Sequence, residues 1–263
     1  MHYVKRLASS DTGVRRAQLM DILRQEGIPF AHTHVMYHSN WVENIVVSIN
    51  PAPRRLVIGA HYDNIEGSTG ANDNASGVSV LIKLAKHLLS TARTAIDIVF
   101  FDREEYGDRG SDFYVETVGK EHIAAMINLD TCGFGDCITL YTSNEANPCF
   151  ASFYQPALMN TYHAHRFNYV DNSDFSAFSN AGIDIITITT LMEYEYTLIS
   201  ENLKRFAAEG RAPTKEETKQ IAMQLEYPFT MHNQPKDSIE SVFQAMLDQV
   251  EGYLKGAFDT LSI

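Results

Sequence analysis

Apolar and polar positions alternate along this chain with two different periods. From Gly13 to Glu26, GVRRAQLMDILRQE brings Val14, Ala17, Leu19, Ile22 and Leu23 towards one helical face, and Gly27 supplies the stop. The β-type segments FAHTHVMY and NIVVSIN follow, then the turn Asn50-Pro51-Ala52-Pro53, then RRLVIGAHYD, a pattern that predicts an edge hairpin entering a sheet. Further on, the spacing predicts a helix over 75–89, the strand AIDIVFFD, a helix over 111–118, the strand HIAAMINLD, the segment CITLYT, a helix over 148–162 and the strand IDIITIT. Such alternation predicts a mixed sheet with helices on both faces. Glu193 to Glu226 turns polar and helix-prone, with Ala212-Pro213-Thr214 as a helix start. The closing SIESVFQAMLDQVEGYLKGAFDTL spaces Ile239, Val242, Phe243, Met246, Leu247, Val250 and Leu254 as one helical face that packs on the sheet.

Four of the apolar runs end in residues that bind metals or move protons. LVIGA precedes His61-Tyr62-Asp63, IDIVFF precedes Asp102-Arg103-Glu104-Glu105, IAAMIN precedes Leu129-Asp130, and IDIITIT precedes Thr190. Ligands of open α/β sheets gather outside the carboxyl ends of parallel strands, so the pattern predicts a metal-dependent active site. His61 and Asp63, two apart in extended chain, face the same way, which lets Asp63 orient the imidazole. The glycine-rich run from Gly67 to Gly77 puts Asp73 just before a helix, where it serves as a cap or a ligand. Glu104 and Glu105 would repel beyond a buried strand unless a cation lay beside them, and adjacent residues face opposite ways, so one can ligate while the other acts on water. Asp130 is a third carboxylate at a third strand end. The set His61, Asp73, Glu105, Asp130 and His232 offers nitrogen and oxygen without sulfur, which suits zinc. Two zinc ions balance its three carboxylates better than one.

Composition narrows the class. The chain has 263 residues, 44% hydrophobic and 21% charged, which is the range of one soluble α/β domain over 1–263, and no segment reads as a membrane span. A net charge of -12 argues against nucleic acid as a partner. Cys132, Cys137 and Cys149 are odd in number and lack a CxxC pair, so neither a disulfide framework nor a thiolate zinc site is suggested; buried, idle thiols and a cytoplasmic setting fit best. The N-terminus shows no secretory h-region. His32, His34, His38, His163 and His165 read as surface or structural residues rather than a second metal site. A homo-oligomer is compatible with the sequence.

The stretches GAHYDN, GANDNASGVSVLIKLAKHL, FFDREEYGDRGSDFYV, INLDTCG, NSDFSAFSNAGIDIITIT and MHNQPKDSIESV, spread from Gly59 to Val242, resemble the zinc-dependent exopeptidases that include double-zinc aminopeptidases, glutamate carboxypeptidase and the glutaminyl cyclases. The resemblance implies a three-layer α/β sandwich around a central mixed, mostly parallel sheet. It implies two zinc ions: His61 and Glu105 each on one ion, Asp73 bridging both through a cis Asp73–Asn74 bond, and Asp130 and His232 completing the ligands. Glu104 would be the general base toward the attacking water and Asp63 the partner of His61, acting on a peptide with a free N-terminus. Tyr194, Tyr196 and Tyr227 are the candidates for stabilising the oxyanion.

Three departures stand out. Relatives commonly read SDH where this chain has Ser173-Asp174-Phe175, the His232 to Asp237 spacing is one residue longer and contains Pro235, and 193–226 looks like an insertion that forms a lid or an assembly contact favouring short peptides. The rival reading, a single-zinc glutaminyl cyclase, is disfavoured because Met231 stands where those enzymes carry a tryptophan and because NDNASGV reads as a peptidase segment. A non-catalytic protein on the same fold is disfavoured because every expected ligand and Glu104 are present.

Overall fold

A computed structural model describes residues 1–226 and 237–261. Eight strands form one sheet in the order β1 (Ala31–His32), β4 (Ile45–Ile49), β6 (Ile96–Phe101), β5 (Arg55–His61), β7 (Ile123–Leu129), β10 (Ile185–Leu191), β8 (Cys137–Thr142) and β9 (Ala164–Arg166). The four central strands run parallel, while β1, β4 and β8 pair antiparallel to their inner neighbours. The expected edge hairpin is β1 against β4, and β2 (Val35–Tyr37) with β3 (Asn40–Val42) makes a separate small ribbon.

Period-two alternation assigns the two faces. Ile58, Ile98, Phe100, Ile127 and Ile188 face a large core closed by α1 (His2–Leu7), α2 (Thr12–Gln25), α3 (Gly77–Thr91) and α9 (Gln244–Asp259). Val57, Val99, Phe101, Met126 and Ile185 face a smaller core under α4 (Arg109–Val118) and α6 (Phe175–Asn180). The result is a three-layer α/β sandwich. Gly59, inside the β5 run, is required because a β-carbon there would overlap the Phe101 ring.

Two local expectations are corrected. On α2 the buried face is Arg15, Leu19, Ile22 and Leu23, whereas Val14 and Ala17 face solvent, so a fully buried arginine occupies a place that apolar spacing assigns to its neighbour. The helix expected over 148–162 is a short turn at Pro148–Phe150 followed by α5 (Pro156–Thr161). Pro156 sits at the start of α5 and holds Gln155 extended, which forbids one continuous helix. The polar stretch forms α7 (Glu193–Ala208) and α8 (Lys215–Ala222), the latter capped by Thr214 through Glu217 N–H. Among the described residues, no helix is long and apolar enough to cross a membrane.

Candidate metal centre

His61 is the last residue of β5, so the strand delivers its imidazole, 1% exposed, to the carboxyl edge of the sheet. Asp63 Oδ1 lies 3.4 Å from His61 Nδ1. Its hydrogen bonds, however, come from the amides of Glu104 (3.0 Å) and Glu105 (3.3 Å). Asp63 thus positions the backbone of both glutamates, a role beyond the imidazole contact expected of it. Upstream of that pair, Arg103 adopts φ 57°, turning the chain sharply as it leaves β6.

Asp73 sits in a wide turn, Ala71–Ser76, that runs straight into α3 and departs from helical geometry at Asp73 and Asn74. The Asp73–Asn74 bond is cis. Hydrogen bonds stitch this turn to the segment after β7: Asn74 Nδ2 donates to Leu129 O (2.8 Å), Gly133 N to Asn72 Oδ1 (2.9 Å) and Cys132 N to Ser76 Oγ (2.9 Å). From the other side, Asp237 Oδ1 accepts the Asn72 amide at 2.7 Å and Asp237 Oδ2 accepts Ser68 Oγ at 3.0 Å. Gly70, at φ 55°, lets the buried Arg15 guanidinium approach and donate to the carbonyls of Thr69 (3.3 Å) and Gly70 (3.1 Å).

These elements bring the expected side chains together. His61 Nε2 is 3.1 Å from Asp73 Oδ1 and 3.5 Å from Asp130 Oδ1. Ligand atoms of His61, Asp73 and Glu105 lie within 4.8 Å of one another, as do those of His61, Glu104 and Asp130. Asp130 follows β7 directly, and its second oxygen accepts Ser173 Oγ at 2.7 Å, leaving the first turned to His61. His232, expected as the remaining ligand, lies outside the described residues, as does Tyr227. Of the other tyrosines, Tyr196 stacks on His165 and Tyr194 is largely exposed.

The electrostatics follow from crowded carboxylates. Burial lowers the His61 pKa, but Glu104, Asp130 and Asp63 outweigh it and hold the imidazole well above its ordinary value. Burial, reinforced by Asp130, Asp174 and Asp73, pushes Glu104 well up against the opposing pull of His61. His61 Nε2 and Asp130 Oδ1 are buried without a hydrogen bond, although such atoms are ordinarily paired. A nitrogen and carboxylate oxygens converging in this way fit a zinc-type cation. Sequence reasoning gave no role to Arg15, Asp237 or Asp174. The first interrupts an apolar row at i, i+4 with Leu19, and the second lies within MHNQPKDSIESV. Asp174 is fully buried, and neither of its oxygens makes a hydrogen bond.

The profile of peptidase family M28 matches residues 44–253. The chain belongs to peptidase family M28. Aminopeptidase YwaD of Bacillus subtilis (strain 168) is 36% identical over 85 residues, 31% of this chain and 19% of that protein. A zinc aminopeptidase from Bacillus subtilis superposes with a TM-score of 0.61 at 23% identity, covering 84% of this chain and 50% of that one. Porphyromonas gingivalis glutaminyl cyclase superposes with a TM-score of 0.67 at 21% identity, covering 98% of this chain and 96% of that one. The chain spans only 16% and 19% of the first curated relatives it matches.

In this M28 chain a cavity of about 190 Å³ opens beside Asp130 and Ser173. Phe167 and Leu191 line its sheet side, and Ile199, Phe206 and Leu225 line the side built by residues 193–226. Residues 193–226 therefore form a wall next to Asp130. It is held by a small cluster of its own: Cys137, Phe167, Leu191, Ile199 and Leu225.

Proposed function

We propose that the chain is a zinc-dependent aminopeptidase that removes an apolar N-terminal residue from short peptides, with Glu104 as general base. The observation that carries this reading is the apolar cavity opening at Asp130, directly beside the converging carboxylates and His61. His61, Asp73, Glu105 and Asp130, with His232, would hold two zinc ions. Bound there, zinc supplies Lewis acidity to the scissile carbonyl and brings the pKa of the attacking water to about 7.

The remaining steps belong to the chain. Glu104 takes a proton from the attacking water and delivers it to the leaving amine, and the Asp63 clamp on its backbone keeps the carboxylate in place. The surplus of carboxylates attracts the substrate's free ammonium, the residue's side chain enters the apolar cavity, and α7 and α8 limit how much peptide can follow.

The test is mass spectrometry of peptides differing only in the first residue. Stepwise loss of N-terminal leucine, with little release of aspartate or lysine, is expected; uniform cleavage would overturn the cavity assignment. Cyclase activity is the second reading, supported by the near-complete mutual coverage with the Porphyromonas gingivalis enzyme. Loss of ammonia from an N-terminal glutamine, without release of free amino acids, would select it.

A further inference from the structure

A second group of ligand-type side chains meets two strands across the sheet from Asp130. Cys137 begins β8, His165 lies on β9, and Glu193 opens α7; their ligand atoms lie within 4.8 Å of one another. Parallel pairing of Thr139 with His165 places Cys137, two residues earlier and so on the same face of β8, diagonal to His165, and pairing of Cys137 with Leu191 brings in the chain just before Glu193. His163 lies next to this group and reaches it through Glu193. Its Nε2 is 3.1 Å from Glu193 Oε2, and His165 Nε2 is 2.9 Å from the same oxygen.

The hydrogen bonding around His163 is informative. His163 Nδ1 is 3.0 Å from the Asp136 carbonyl, which can only accept, so Nδ1 carries the hydrogen. Nε2 is left to face the Glu193 carboxylate, as a proton donor in the imidazolium and as a free lone pair in the neutral ring. A cation seated between Nε2 and the carboxylate would be held by both. The thiol and the second imidazole at the same point favour a zinc-class metal, because thiolate and imidazole are its preferred donors. The dimensions agree: ligands about 2.0–2.1 Å from a tetrahedral ion are roughly 3.3 Å apart, a few tenths of an ångström beyond the present separations. One thiolate and one carboxylate neutralise a divalent charge. The Cys137 side chain is buried beneath the group, while His163 and Glu193 are exposed enough to admit an ion.

We propose that Cys137, His163, His165 and Glu193 form a second, non-catalytic zinc site. It staples the first turn of α7 to the sheet edge formed by β8 and β9. The binding claim is independent of the aminopeptidase reading; only its consequence, a fixed wall for the cavity beside Asp130, rests on that reading.

Cobalt tests it on the full chain stripped by chelator. The catalytic ligand set contains no sulfur, so a thiolate-to-cobalt charge-transfer band in the near ultraviolet reports this group alone. The expected result is a band that saturates at one ion per chain, survives Cys132→Ser and vanishes in Cys137→Ser. In His165→Ala and Glu193→Gln its midpoint should move to at least about 100-fold higher cobalt, since loss of an outer-shell partner alone costs up to that much. His165 and Glu193 are partly exposed, so these two variants decide the matter should Cys137→Ser fail to fold. Absence of the band, its persistence in Cys137→Ser, or an unchanged midpoint in both other variants would overturn the site.

Discussion

The carboxyl edge of β5, β6 and β7 and the α7–α8 stretch are built on different principles, although Asp130 of the first and both helices of the second line one cavity. At the first, the clustered side chains stand on or just beyond buried elements, and hydrogen bonds at least partly buried hold their surroundings: Asp63 to the amides of Glu104 and Glu105, Ser173 to Asp130, and Asp237 to Asn72. In the second, α8 buries no residue and α7 buries only Glu195, Ile199 and Phe206. Its charged pairs, such as Arg211 with Glu217, lie at the surface, where ion pairs contribute little. The lesson is a contrast in anchoring: cross-strand hydrogen bonds concentrate around His61 and the carboxylates, and the neighbouring wall has few buried contacts.

The largest effect that would sharpen this contrast is metal removal. Chelation should abolish turnover and zinc should restore it, with thermal unfolding shifted upward by bound metal; a thousandfold excess over Kd corresponds to about 4 kcal/mol. Turnover that persists in metal-free protein would break the catalytic assignment. Next, Glu104→Gln should lower kcat by about 10²–10⁴-fold with zinc content unchanged by elemental analysis, and a loss under tenfold would remove Glu104 from the role of base.

A smaller effect is expected at Asp237→Ala. Loss of its bonds to Asn72 and Ser68 should weaken zinc retention by about 10–100-fold, because these bonds hold the turn that carries Asp73. Competition with a chelator would measure it, and unchanged retention would show that the turn holds itself. On the opposite wall, Phe206→Ala should reduce kcat/KM for N-terminal leucine by roughly tenfold and leave N-terminal alanine little changed. Equal losses for both would mean that the wall does not select.

The smallest effect concerns buried charge at the carboxyl edge of β6. Burial, helped by Asp63, raises Asp102 to about 6, so its folded pKa lies above the unfolded one. The folded state binds that proton more tightly, and its contribution to stability is fullest below the unfolded pKa and is lost as pH rises through about 6. Metal-free protein should therefore lose stability between pH 4 and 7, and Asp102→Asn should flatten part of that slope in denaturant titrations, by about 1–3 kcal/mol. An unchanged slope would show that Asp102 does not carry it.

Much of the cluster was legible because strands point side chains by a fixed alternation and the core demands apolar runs before each of its members. His61, Asp73, Glu105 and Asp130 could be picked out by position, and the cis Asp73–Asn74 bond by resemblance. Arg15 was illegible because helical spacing at Val14 and Ala17 is satisfied on paper, whereas its burial depends on Gly70 admitting the guanidinium from another segment. Asp63 was legible as a neighbour of His61, and its bonds to the two glutamate amides were not, since they cross between strands.

By itself, then, the sequence determined the layered sheet, the order of its apolar runs and the residue types at the strand ends, because period and burial are local properties of the chain. Tertiary structure alone decided that residues 193–226 wall an apolar cavity at Asp130 and that Cys137, His165 and Glu193 share a point with His163 against Glu193. Those meetings depend on strand order, β10 beside β8 beside β9, and pairing between distant segments leaves no spacing in the sequence to read.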